Sequence, residues 1–186
     1  RYLVKRLKKE SKRLRKMVEE TLELSKLESS EAFNKNKKIS ISDLIMESWQ
    51  TLKPLAEKKE IKINLFIPTK YYISGDIENL KRAFINILDN SIRYSPDNEE
   101  IQIEIFKRDS SVVIRVRDKG IGLEENESND IFSRFYRGDP SRTKFKKSGS
   151  GLGLSITKKI INNNKGFIKA FNHKDGGAIV ETIFPC

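Results

Sequence analysis

Two asparagines, Asn86 and Asn90, stand one helical turn apart in the stretch NILDNSIRYSP, residues 86–96. Residues four apart share one stripe of helix surface. Asparagine is a poor helix former, because its amide competes with the backbone for hydrogen bonds. A pair of neutral amides so placed is either a polar edge, a buried hydrogen-bonding pair or a source of oxygen ligands. A second signal is DKGIG, Asp118 to Gly122, where a run of alternating apolar residues ends in a turn with two glycines. Such a turn is often only a tight turn, and sometimes a ligand loop. A third is GSGLGLS, Gly149 to Ser155, a glycine loop running into a helix. No Lys-Ser/Thr pair closes it, so it is not a P-loop. Its third glycine is Gly153, one short of the dinucleotide fingerprint. It still presents backbone N–H groups and a positive helix end where a phosphate can sit.

These residues need a scaffold, and 186 residues provide one cored domain with a short appended helix. Opening on Arg1, the chain reads as a piece of something longer. The lone cysteine, Cys186, excludes a disulfide framework or a Cys-based metal site and fits a reducing compartment. No apolar run approaches the roughly 20 residues of a membrane helix, and no signal peptide opens the chain. The net charge of +11 is concentrated in the first 16 residues, with smaller clusters at Lys58–Lys59 and from Arg142 to Lys147. Aromatic interleaving, helix-turn-helix and zinc-finger spacings are all missing, so the charge reads as a solvated basic face rather than a nucleic-acid stripe. Such a surface also suits a nucleotide or an acidic protein partner.

Residues 1–28 keep an unbroken helical pattern with a heptad-like seam through Leu7, Leu14, Met17, Thr21 and Leu24, thickened by Leu3, Val18 and Leu22. It either pairs with another helix or folds back on the domain that follows. SSEAFNKNKK reads as a linker. A short strand near Lys38–Ser40 precedes a helix capped by Ser42 or Asp43 and running to about Lys59, buried on Leu44, Ile45, Trp49, Leu52 and Leu55, with Pro54 a possible kink. IKINLFIP and YYIS follow as strands, and Asp76 caps the helix carrying the two asparagines. IQIEIFKR and VVIRVRD pair as strands, residues 123–148 form a mobile excursion with one helical turn, and a helix from Gly151 leads to two closing strands around Lys174–Gly177. The pattern predicts an α+β fold, a two-layer α/β sandwich whose mixed sheet has about five strands and three helices, preceded by one long helix.

Taken in order, these signals resemble the catalytic and ATP-binding part of a sensor histidine kinase, the Bergerat ATP-binding fold. NILDNSIRYSP looks like the N box, DKGIG the first glycine box, IFSRFYRGD the F box, GSGLGLSI the second glycine box and GGAIVETIFP the closing strand. The first helix, ending LELSKLES, is similar to the second dimerisation helix. The resemblance implies a partial dimerisation helix at 1–29, a linker at 30–38, and an ATP-binding domain at 39–186 with its lid at 123–148.

The resemblance also implies roles. Asn90 would give Mg²⁺ a neutral oxygen, the ion's other ligands being phosphates and water. Asn86 would face the same site, Arg93 would meet phosphate oxygens where the family usually carries Lys, and Tyr94 would pack near adenine. The Asp118 carboxylate would accept from the exocyclic amine, with Gly120 and Gly122 admitting the base. Gly149, Gly151, Leu152 and Gly153 would shape the lid hinge and cradle phosphates. Arg134, Arg137, Lys146 and Lys147 would reach the γ-phosphate, Arg137 foremost, while Phe132 and Phe135 dock the lid. Ala178 replaces the family's usual Thr, at the expense of a hydrogen bond.

Related hydrolases place a glutamate as general base one turn before the metal asparagine. Asn86 stands there in this sequence, and an amide takes no proton near neutral pH. The resemblance therefore implies presentation of MgATP to a histidine elsewhere, because the phosphoacceptor histidine is missing and His173 reads as an exposed turn residue. It further implies a homodimeric parent anchored in a membrane outside this stretch, a cytoplasmic location, a response-regulator receiver domain as partner and no nucleic acid. Two alternatives stand beside it, an anti-sigma-type serine/threonine kinase and a nucleotide-free interaction module.

Overall fold

The computed structural model describes residues 2–29, 37–124, 127–138 and 150–186. Five strands form one sheet in the order β2(Lys62–Phe66), β4(Glu100–Arg108), β5(Ser111–Arg117), β7(Ala178–Pro185) and β6(Phe167–Asn172). The β2–β4 pair is parallel and the other three are antiparallel, so the sheet is mixed. Strand alternation sends Ile101, Ile103, Ile105, Val112, Ile114 and Val116 to one face, all buried. Against that face lie α2(Ile41–Lys58), α3(Ile77–Tyr94) and α5(Gly153–Asn163). This is the two-layer α+β sandwich that the pattern predicts.

Strands β1(Lys37–Ser40) and β3(Tyr72–Gly75) stand apart as a two-stranded antiparallel sheet. They fix the start of α2, which differs from the expected cap at Ser42 or Asp43. Ser40 occupies the N-cap, but its hydroxyl meets that of Ser42 at 3.0 Å rather than a backbone N–H of the helix, and the Ile41 N–H donates to the Tyr71 carbonyl, 3.1 Å away. Ile41 is completely buried, so core packing rather than a polar cap sets this terminus. The helix runs through Pro54, and Leu55 is only half-buried.

Both ends of α3 are tied down. The Asp76 side chain accepts from the Asn79 N–H as expected, and the Asp76 N–H donates to Asn164 Oδ1 at 2.8 Å. At the other end Lys59 Nζ donates to the carbonyls of Ile92 (2.8 Å) and Ser95. It thereby satisfies terminal carbonyls that a helix cannot pair by itself.

The first helix, α1(Tyr2–Ser29), folds back on the domain at its carboxyl-terminal end only. Leu24 and Leu27 are buried in the domain core, Asn163 Nδ2 donates to the Leu27 carbonyl at 2.9 Å, and Glu23 pairs with Arg82 of α3. Leu3, Leu7, Leu14, Val18 and Leu22 are exposed. The carboxyl-terminal turns fold back on the domain, while the remainder carries an uncovered apolar seam. Among the described residues no helix is long and apolar enough to cross a membrane.

Replacing Lys59 by Met keeps the aliphatic stem and removes the donor. It is expected to destabilise the domain by about 1–3 kcal/mol, measured by urea unfolding. An unchanged midpoint would show that the α3 terminus does not depend on Lys59.

Candidate functional site

The two asparagines meet the glycine loop because α3 packs against α5. Asn86 Nδ2 donates to the Gly153 carbonyl at 3.3 Å, in the first turn of α5, and Thr157 Oγ1 donates to the same oxygen at 2.9 Å. One turn along α3, Asn90 is half-buried, and its amide has no hydrogen-bond partner among the described residues. Asp89 points elsewhere and pairs with Arg93, Oδ2 to Nε at 2.6 Å. Arg93 is thus held by its own helix in the absence of ligand.

Asp118 follows the last residue of β5 and is 7% exposed. Its Oδ1 accepts from the N–H groups of Gly120 (2.8 Å) and Ala178 (3.1 Å). Among the described residues Oδ2 has no partner, so one carboxylate oxygen is structural and the other is open to a ligand's N–H. Burial pushes the carboxyl above its usual range, and the two N–H bonds with nearby Arg117 offset only part of that rise. The alanine at 178 costs no bond to this oxygen, because the backbone N–H makes it.

Close backbone contacts demand glycine at positions 120 and 177, as at 151. A Cβ at Gly120 would lie 2.9 Å from the Tyr94 carbonyl, so the end of α3 and the DKGIG turn touch without a side chain between them. A Cβ at Gly177, whose φ is +80°, would lie 2.0 Å from the Asp118 carbonyl. The Tyr94 side chain remains half-exposed beside this junction.

Asn172, at the end of β6, was not singled out by sequence pattern. Its Oδ1 accepts from the Leu123 N–H at 2.6 Å and its Nδ2 donates to the Leu123 carbonyl at 2.8 Å. The carboxamide acts as a one-residue strand partner for the segment that leaves Gly122. Lys59 and Gly177 were equally missed. All three act through backbone groups distant in sequence, for which no local signal exists.

The segment 127–138 opens with α4(Glu127–Asp130). Phe132 is buried beneath Lys158, as a docking residue should be. Phe135 corrects expectation, because its side chain is 55% exposed. It takes a positive φ of 61°, and its backbone packs against Gly151, where a Cβ would approach to 2.8 Å. Contact is made by main chain, which leaves the ring outside. Arg134 pairs with Glu28 of α1, and Arg137 is exposed. Leu152 is buried at the N-cap of α5, with its N–H bonded to Ser150 Oγ. Lys146, Lys147 and Gly149 lie outside the described residues, as does most of the region between the F box and the second glycine box. His173 sits in the turn between β6 and β7 but is half-buried, its Nδ1 accepting from the Asp175 N–H. That local bond folds the ring onto the turn and away from the expected full exposure.

The amide stripe, buried carboxylate and glycine contacts thus converge at the end of the sheet. The histidine kinase-, DNA gyrase B- and HSP90-like ATPase family matches residues 75–186. The chain belongs to that family. Its members' shared module is an ATP-binding domain, and the matched residues run from the end of β3 to the carboxyl terminus, including every site element above. Among curated relatives, the sensor-like histidine kinase SenX3 of Mycolicibacterium smegmatis is 32% identical over 95% of this chain and 46% of its own length. The sensor protein SphS of Synechococcus elongatus is 33% identical over 98% of this chain and 46% of its own. The chain therefore spans about half the length of these relatives. The fold agrees with that of ThkA, a histidine kinase solved in complex with the response regulator TrrA, at a TM-score of 0.75, 24% identity, and coverage of 95% of this chain and 48% of that one.

The raised Asp118 pKa fixes the sign of a pH effect. The stability it contributes is full below the unfolded value of about 3.9 and is lost as pH rises through the higher folded value. Asp118→Asn keeps the Oδ1 acceptor without the buried charge. In the ligand-free protein the variant is expected to melt with wild type near pH 4 and above it at pH 7, by scanning calorimetry. Lower stability than wild type at pH 7 would contradict the burial argument. Separately, Asn172→Ala should speed amide exchange at Leu123 by about tenfold or more while leaving that of the core strand β5 unchanged.

Proposed function

We propose that this chain is the ATP-binding module of a sensor histidine kinase, presenting MgATP for phosphoryl transfer to a histidine outside residues 1–186. In the parent, phosphate would pass on to an aspartate of a response-regulator receiver domain. The observation that carries this reading is the use made of Asn86. Its amide donates to the Gly153 carbonyl, at the place where a hydrolase of this fold keeps a general base. The neighbouring carboxylate, Asp89, is occupied by Arg93. No side chain on this stripe is therefore poised to take a proton from water.

The donor set fits the nucleotide. The free Asp118 Oδ2 would accept from the exocyclic amine of adenine, with Gly120 and Gly122 admitting the ring and Tyr94 flanking it. Asn90 would lend its amide oxygen to Mg²⁺, a hard ion that keeps phosphate and water as its other ligands. Bound there, the ion would neutralise charge developing on the phosphates. Gly151, Leu152 and Gly153 at the start of α5, with Gly149 and Lys147 before them, would surround the phosphate chain. Arg93 would leave Asp89 to meet it. Arg137, which follows the segment anchored by the buried Phe132, is proposed as the γ-phosphate cation. We read residues 1–29 as the second dimerisation helix of a homodimeric, membrane-anchored parent whose cytoplasmic portion includes 39–186. The relatives' names support the sensor-kinase reading, and the complex of the similarly folded ThkA with TrrA supports a response regulator as partner.

Calorimetric titration with ATP tests the site. Asn90→Ala should reduce the affinity gained from Mg²⁺ by about tenfold, and Asp118→Asn should weaken ATP binding by about tenfold or more in either condition. Equal affinities for both variants and wild type would refute a nucleotide role for these residues. Incubation with γ-labelled ATP should leave no phosphohistidine on this chain. Supplying the parent's preceding segment should restore labelling, and failure to do so would count against the kinase reading.

A further inference from the structure

Among the described residues none of α2, α3 and α5 packs on the opposite face of the five-stranded sheet, where Val113 and Glu181 are buried by their neighbours and the flanking side chains are exposed; its composition is not that of a merely solvated surface. Register aligns one row across all five strands as Phe66, Glu104, Arg115, Glu181 and Lys169. Glu181 is 0% exposed. It is sealed beneath three cations: Arg115 Nε at 2.7 Å, Lys169 Nζ at 3.1 Å and Arg108, which reaches it at 3.4 Å. Burial alone would raise the Glu181 carboxyl, yet the bonds from Arg115 and Lys169 hold it below its ordinary range. Glu104 stands 3.9 Å from Arg115. Three cations thus meet two carboxylates, one of them hidden, so an approaching molecule meets positive charge. The adjoining row, Phe106, Val113, Ile183 and Phe167, is apolar. Phe66 and Phe167 are 65% and 57% exposed at opposite edges of the sheet. Large exposed aromatics beside arginine are the composition of interaction hot spots.

We propose that this face docks an acidic protein segment that carries an apolar residue on each side of its carboxylates. Carboxylates would pair with Arg108, Arg115 and Lys169, and the flanking apolar groups would cover Phe66 and Phe167. Nucleic acid fits less well. Arg115 lies over the Phe106 ring at 4.9 Å and Lys169 over Phe171 at 5.4 Å, so those ring faces already carry cations. Phe66 and Phe167 stand four strand spacings apart, about 19 Å, too far to stack neighbouring bases. An extended peptide covers that distance in about six residues. The surface lies on the opposite side of the sheet from α3 and α5, so the inference does not depend on the nucleotide reading.

The probe is the blocked heptapeptide FEEEEEF, titrated into the ¹⁵N-labelled chain with amide shifts followed residue by residue. Saturable shifts are expected on the outer strand positions with Kd below about 1 mM, unchanged by ATP. Arg108→Gln with Lys169→Gln, which leaves Arg115 on Glu181, should weaken binding by about fivefold or more, and Phe66→Ser with Phe167→Ser should do the same; each double variant is compared once its amide spectrum shows the wild-type fold. Equal binding by FQQQQQF, shifts confined to the basic residues of α1, no shifts at about 2 mM peptide, or tighter saturation of the same face by oligothymidylate would each overturn the proposal.

Discussion

One buried oxygen holds the functional end of this molecule together. Asp118 Oδ1 accepts N–H bonds from Gly120, two residues on, and from Ala178, at the start of β7. A strand end, a glycine turn and a distant strand are thereby fixed to a single atom. The cost is a desolvated carboxylate, expressed in its raised pKa, and the return is a second oxygen held in place for a ligand. The free oxygen is held by the same bonds that close the sheet, so its position is rigid.

Helix α3 acts as the beam between this anchor and the rest. Its apolar stripe, Leu80, Phe84, Ile87, Leu88 and Ile92, is completely buried, which leaves no rotational freedom for the asparagines on its flank. Asp76 and Asn164 hold one end and Lys59 the other. With both termini satisfied, Asn86 and Asn90 are presented to α5 by core packing rather than by any contact with ligand. The neutral amide at 86 can then serve as a hydrogen-bond donor to Gly153, a role that a carboxylate could not fill.

The structure also joins parts that local pattern keeps separate. The last turns of α1 touch α5 through Leu27, α3 through Glu23, and the F-box segment through Glu28 and Arg134. Arg134 is accordingly a link to the leading helix. Phe132 and Phe135 divide: one ring is buried, whereas the other residue contributes its backbone to Gly151. Sequence treats the two phenylalanines as equivalent because their residue types match and their spacing is short. Position relative to the core decides otherwise.

Much of the architecture was legible in one dimension. Periods of two and 3.6 located the strands and helices, Asp76 marked a cap, and the order of the asparagine pair, DKGIG and the second glycine loop pointed to an ATP-binding fold. These features depend on neighbours within a few residues, which the chain itself specifies. The start of α2 was misplaced because burial of Ile41 outweighed the polar cap candidates at 42 and 43. Lys59, Asn172 and Gly177 were invisible because each acts on a backbone group far away in sequence. Residue types and their order determined what chemistry the chain can host. Only tertiary packing decided which oxygen of Asp118 is free, that Arg134 reaches the leading helix and which backbone groups close the site, since those depend on burial and on distances between remote segments.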